Sequence, residues 1–132
     1  MGGLKILVVD DEIPISSYLQ RKLLKQGYTV YLADNGEEAL RQAFMHLPDL
    51  VLLDVKLPKL NGIEVCKRLR SDDRTKDTNI IMLSAKAQSV EIQQGLDAGA
   101  DRYLCKPVGF PEILEEIHQI HKKRDAMING LS

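Results

Sequence analysis

The sequence predicts an α/β fold: a doubly wound, five-stranded parallel sheet with strand order 2-1-3-4-5. Three observations carry that reading. Short apolar runs alternate with segments of helical period along the whole chain. Four runs stop at polar groups: Ile6-Leu7-Val8-Val9 at Asp10-Asp11-Glu12, Leu50-Val51-Leu52-Leu53 at Asp54, Ile80-Ile81-Met82-Leu83 at Ser84, and Tyr103-Leu104-Cys105 at Lys106-Pro107. The remaining run, Tyr28-Thr29-Val30-Tyr31-Leu32, is more polar and suits a sheet edge. Repeated β–α units build a parallel sheet with helices on both faces, and strands covered on both faces read as continuous apolar runs.

Each element follows from local pattern. Residues 4–9 are a β-branched and leucine run, too short for a stable helix. Ile15, Leu19 and Leu23 recur at steps of four, which places them on one face of a helix over 13–26. Gly27 closes that helix as a left-handed cap residue would. Residues 28–32 form the second strand. Asn35, with Glu38 three residues on, is a capping-box-like helix start. Ala39, Leu40, Ala43, Phe44 and Leu47 form that helix's apolar face, and Pro48 stops it. The third strand is 50–53, and the loop after it is punctuated by Pro58, Asn61 and Gly62. A helix runs from about Ile63 to Leu69, then 71–78 is a polar loop. The fourth strand is 79–83, the next helix about 87–98 with Gly99 as its cap, and the fifth strand 101–105. Phe110, Ile113, Leu114, Ile117 and Ile120 share one face of the last helix.

Placing strand 2 outside strand 1 gives the flavodoxin-like order. The crevice of such a sheet opens at the carboxyl ends of strands 1 and 3, where the order reverses. Asp10, Asp11 and Asp54 end those strands, and Ser84 and Lys106 end strands 4 and 5 on the same edge. Close carboxylates repel and cannot all stay ionised without compensation. A bound Mg²⁺ resolves this, because it takes oxygen ligands and keeps positions open for water or phosphate. No His or Cys lies in the set to favour zinc. An aspartate can attack phosphorus to form an acyl phosphate, and phosphoryl transfer needs in-line positioning and charge neutralisation above all. Asp54 is the candidate nucleophile, with Lys106 and Ser84 placed to meet phosphoryl oxygens. Taken singly, Asp10-Asp11 and Ser84 read as helix caps, Asp54 as a turn residue and Tyr103 as packing; their shared sheet edge favours the functional reading.

Bulk properties agree with one soluble domain. The chain has 132 residues, 44% of them hydrophobic, and a net charge of −1. That size buries a core without staples, and that charge offers no bulk attraction to nucleic acid or membrane. No apolar stretch is long enough to span a bilayer, and no signal-peptide pattern precedes the first strand. Cys66 and Cys105 lack metal-ligand spacing and read as reduced thiols of a cytoplasmic protein. His46, His118 and His121 lie near helix ends or on polar faces, outside the cluster. Lys122-Lys123-Arg124 reads as a solvated C-terminal turn.

The segments VVDDE, LLDVKLPKLNG, MLSAK and YLCKP, in this order at strand ends, resemble the receiver domain of two-component response regulators. The resemblance covers about residues 4–124, with 125–132 as a tail or the start of a linker. It implies that Asp54 is the phosphoacceptor. It implies that Asp11, Asp54 and the backbone carbonyl of Lys56 ligate Mg²⁺ directly, with Mn²⁺ as a substitute and Asp10 acting through water. Lys106 would be the family's lysine, Ser84 its switch hydroxyl and Tyr103 its switch aromatic, and the Lys106–Pro107 bond would be cis. Lys56 and Lys86 would stand at two positions that tune phosphoryl lifetime.

The implied function is a phosphoryl-accepting switch, not an enzyme apart from catalysing its own phosphorylation and dephosphorylation. The donor would be a sensor histidine kinase or a histidine phosphotransfer protein. The output would be a protein target, or a C-terminal domain beyond this segment, reached through the surface of helix 4, strand 5 and helix 5. A phosphorylation-dependent dimer stays open, and direct nucleic-acid or membrane binding by this segment is not expected. Three alternatives compete. A degenerate receiver would act as a binding module without phosphorylation, yet all five key positions carry matching residue types. A haloacid-dehalogenase-like phosphatase needs an acid two residues after its nucleophile, where this chain has Lys56. A flavodoxin-like cofactor binder needs Gly, Ser or Thr after strand 1, where Asp10-Asp11-Glu12 stands.

Overall fold

The computed structural model describes residues 3–128, and side chains through residue 123. Five strands, β1 (Lys5–Val9), β2 (Thr29–Ala33), β3 (Leu50–Leu53), β4 (Asn79–Ser84) and β5 (Arg102–Cys105), alternate with five helices. The helices are α1 (Ile13–Lys25), α2 (Gly36–His46), α3 (Gly62–Arg70), α4 (Ser89–Ala98) and α5 (Phe110–Ile128). The sheet order is β2-β1-β3-β4-β5 and every pairing is parallel.

The period-two pattern of the strands divides the core between the two faces of the sheet. Leu7, Val9, Val51, Leu53, Ile80 and Met82 pack against Ala39 and Ala43 of α2, Val65, Cys66 and Leu69 of α3, and Ala98 of α4. Ile6, Val8, Leu50, Leu52, Ile81 and Leu83 pack against Leu19 and Leu23 of α1 and Ile113, Ile117 and Ile120 of α5. Edge strand β2 is part-exposed, as its polar run implies. β5, read as doubly covered, is half-buried along its whole length because it forms the opposite edge.

Helix ends obey local chemistry. Asn35 and Asn61 each accept a hydrogen bond from the backbone N–H three residues on, that of Glu38 and of Glu64. Gly27 and Gly99 adopt φ of +90° and +118° just past α1 and α4. Leu47 does not join the apolar face of α2: it is the left-handed C-cap, with φ 49°, and its side chain is exposed. His46, read as solvated, stacks on Tyr31 with ring centroids 3.8 Å apart. Lys122-Lys123-Arg124 is not a terminal turn, because α5 continues to Ile128. The stretch 125–132, read as tail or linker, thus begins inside α5, and 129–132 lie outside the described residues.

At the sheet edge opposite the carboxyl ends, Arg70 ties four segments together. Its Nε donates to Gly99 O at 3.0 Å, Nη1 to Lys76 O at 2.9 Å and to Thr78 O, and Nη2 to Asp101 Oδ2 at 3.0 Å. Asp101 Oδ2 also accepts the Ile80 N–H at 2.8 Å.

Burial pushes the Cys66 thiol from an ordinary 9.0 up to about 11, and its Sγ donates to Ala98 O at 3.4 Å. The folded value lies above the unfolded one. The neutral thiol's contribution is therefore fully present below pH 9.0 and is lost as pH rises toward about 11. Denaturant titrations are expected to lose about 2–3 kcal/mol more across that window in the wild type than in Cys66→Ala. A gap between the two proteins that does not change with pH would remove this account.

Candidate functional site

Asp10 is the first residue after β1 and Asp54 the first after β3, and the two strands are neighbours. The ladder carries on into both residues: the Asp10 N–H donates to Ala33 O at 3.1 Å and the Asp54 N–H to Val9 O at 3.0 Å. Their carboxylates are thereby fixed at the switch point and buried, at 2% and 7% exposure. Asp10 Oδ1 accepts the Glu12 N–H at 2.9 Å, and Asp54 Oδ1 accepts the Lys56 N–H at 3.3 Å.

Lys106 follows β5 and reaches across the end of β4. Its backbone N–H donates to Ser84 O at 2.8 Å. Its Nζ stands 2.9 Å from Asp10 Oδ2, 3.3 Å from Asp54 Oδ2 and 3.8 Å from Glu12 Oε1. The Lys106–Pro107 peptide is cis. Burial lowers the Lys106 pKa, but its bonds to Asp10 and Asp54 outweigh that and leave it raised. Asp54 is also raised: burial and the nearby Asp10 charge exceed the pull of Lys106.

Ser84 ends β4 with 1% exposure, and its Oγ accepts the Lys86 N–H at 3.1 Å. Tyr103 in β5 donates its hydroxyl hydrogen to Lys86 O at 2.7 Å. Its ring lies over Gly95 of α4, where an added Cβ would come within 2.8 Å of it. An open cleft of about 540 Å³ is lined by Asp11, Glu12, Asp54, Lys56, Ser84, Lys86 and Lys106.

Asp10, Glu12 and Asp54 each offer a carboxylate oxygen, all within 4.8 Å of one another. Such an all-oxygen set suits a hard divalent cation. Asp11 is exposed and lines the same cleft. Glu12 had no role in the sequence reading; its signal was its place directly after Asp11, and its side-chain reach toward Lys106 is a tertiary fact. The pairing of Lys86 with Glu91, Nζ to Oε2 at 3.5 Å, was equally invisible.

A family model described as the response regulator receiver domain matches residues 6–118. The alkaline phosphatase synthesis transcriptional regulatory protein PhoP of Bacillus subtilis is 46% identical over 121 residues, 92% of this chain and 50% of that protein. The chain spans about half the length of the curated relatives it matches. Among solved structures, chemotaxis protein CheY4 of Vibrio cholerae superposes with a TM-score of 0.84 at 32% identity, over 89% of this chain and 98% of that one. The receiver domain of the sensor histidine kinase PA1611 of Pseudomonas aeruginosa, with a magnesium ion coordinated in its active-site cleft, gives 0.82 at 30% identity, over 89% and 97%.

Proposed function

This chain belongs to the response regulator receiver family, and from that premise we propose that Asp54 accepts a phosphoryl group and thereby switches a binding surface. The observation that carries the reading is the Lys106 ammonium lying between the buried carboxylates of Asp10 and Asp54 in one open cleft. A carboxylate oxygen of Asp54 attacks phosphorus. The bond to the donor, the P–N bond of a phosphohistidine, breaks, and its electron pair leaves with the imidazole. The product is an acyl phosphate, returned to Asp54 and inorganic phosphate by water. Lys106 holds charge on the transferring group from one side, and Ser84 can turn its hydroxyl to donate to another oxygen.

Asp11, Asp54 and the Lys56 carbonyl would hold Mg²⁺, or Mn²⁺ in its place, with Asp10 acting through water and Glu12 closing the acidic ring. The carboxylate oxygens of Asp10, Glu12 and Asp54, gathered within 4.8 Å of one another, support a hard cation at this place. When bound, the ion supplies neutralisation of charge developing on the phosphoryl oxygens. The sequence reading also assigns Lys56 and Lys86 to control of phosphoryl lifetime, and both line the cleft.

The donor partner would be a histidine kinase or a phosphotransfer protein. Beside the cleft lies an apolar groove of about 530 Å³, lined by Pro14, Tyr18, Val108 and Ile113 and sharing Ala85 and Lys106 with it. That groove would offer the donor protein an apolar surface beside the cleft. The output surface would be α4, β5 and α5, acting on a target protein or a C-terminal domain.

The test is intact-protein mass after incubation with acetyl phosphate, with and without Mg²⁺. A Mg²⁺-dependent gain of one phosphoryl group supports the reading. No gain from acetyl phosphate or from a phosphohistidine donor would leave a phosphorylation-independent binding module. Ser84→Ala is expected to retain phosphorylation but lose most of the accompanying shift in backbone NMR signals of α4 and β5. An undiminished shift would release Ser84 and Tyr103 from the switch.

A further inference from the structure

Lys86, at the rim of the cleft, makes three bonds, one of which reaches the first turn of α4. Two use its main chain, the N–H to Ser84 Oγ and the carbonyl from the Tyr103 hydroxyl. The third is its ammonium, paired with Glu91 Oε2 at 3.5 Å. The other Glu91 oxygen accepts the Gln88 N–H at 3.2 Å, which holds the carboxylate in the first turn of α4. Negative charge is favoured at that end of a helix.

The lysines of the cleft are therefore not equivalent. Lys106 is committed to Asp10, Asp54 and Glu12. Lys86 is held away from an incoming anion by one ion pair whose side chains are 49% and 25% exposed. Pairs this exposed contribute little. A phosphoryl group brings about two negative charges and three strong acceptor oxygens, and charge-assisted hydrogen bonds to it are the stronger kind. Lys86 thus gains by exchanging Glu91 for the anion.

We infer that Glu91 is a positioning residue for phosphoryl transfer: it holds the Lys86 ammonium against α4 and so sets how strongly the cleft draws an anionic phosphodonor. The inference rests on Asp54 as the phosphoacceptor. Glu91→Gln isolates the charge, because the amide oxygen still accepts from the Gln88 N–H and the helix start is kept.

Phosphorylation rates are measured by intact mass over a range of acetyl phosphate concentrations with Mg²⁺, for the wild type, E91Q, K86Q and the double variant. The half-saturating concentration in E91Q is expected to fall about threefold, with the maximal rate little changed. The same substitution in the K86Q background is expected to do nothing. An unchanged concentration dependence in E91Q, or an equal gain in the K86Q background, overturns the inference while leaving the function standing. A wild type with no Asp54-dependent mass gain overturns both together.

Discussion

Asp54→Asn is expected to abolish phosphoryl uptake from acetyl phosphate and from any phosphohistidine donor, with no loss of stability. Asparagine matches aspartate in shape, so the β3 terminus and the Asp54 N–H bond to Val9 O survive. What disappears is the anionic oxygen that attacks phosphorus. The stability side follows from burial. The Asp54 pKa is raised by burial first and by Asp10 second. A folded pKa above the unfolded one means that the contribution is fully present at acid pH and is lost as pH rises through the folded value. The ionised form of Asp54 is thus a cost to the metal-free fold, and the amide relieves it. Lys106 keeps Asp10 as its partner at 2.9 Å. Intact mass and thermal melts without metal check both parts. A loss above about 1 kcal/mol would mean that the Lys106–Asp54 bond outweighs the burial cost.

Gly62→Ala carries a large expected penalty on both the fold and the site. An added Cβ would stand 2.2 Å from Asp54 O and 2.9 Å from Val55 Cα. Both are main-chain atoms, so no rotamer change gives relief. The Gly62 N–H also donates to Val55 O at 2.7 Å, which binds the start of α3 to this loop. Alanine's better helix propensity returns about 1 kcal/mol at most, and the clash exceeds it. A net loss of about 3 kcal/mol is expected, with a melting midpoint lower by about 10 °C. The displacement falls on Asp54 and Val55, so phosphorylation should also slow at least tenfold. Denaturant melts and mass time courses measure the two effects. A variant as stable as the wild type would show that the β3–α3 loop yields without cost.

The strand order and the gathering of Asp10, Asp54, Ser84 and Lys106 at one sheet edge were legible because they rest on short-range signals. An apolar run is visible in five residues, a carboxylate at its end is visible as one, and β–α alternation aligns the ends. Asn35, Gly27 and Gly99 were legible for the same reason, each being a local cap. What stayed hidden depends on side chains meeting across the fold. Glu12 enters the acidic group through Lys106, 94 positions away by numbering. Tyr31 covers His46 from the neighbouring strand, and Arg70 finds its partners in segments up to 31 residues distant. Leu47 takes a left-handed cap that leucine rarely adopts, and nothing in its own neighbourhood announced it.

The Arg70 clamp also bears on how α4 would tilt. It grips Gly99, at the end of α4 remote from the cleft, whereas the cleft end is tethered by the Lys86–Glu91 pair. A helix tied firmly at one end and weakly at the other swings about the firm end like an arm on a fulcrum. The ten residues of α4 make an arm of about 15 Å. A tilt of about 10° then carries its first turn on the order of 3 Å and leaves Gly99 in place. Such a tilt would be largest beside the acidic cleft and smallest at the guanidinium.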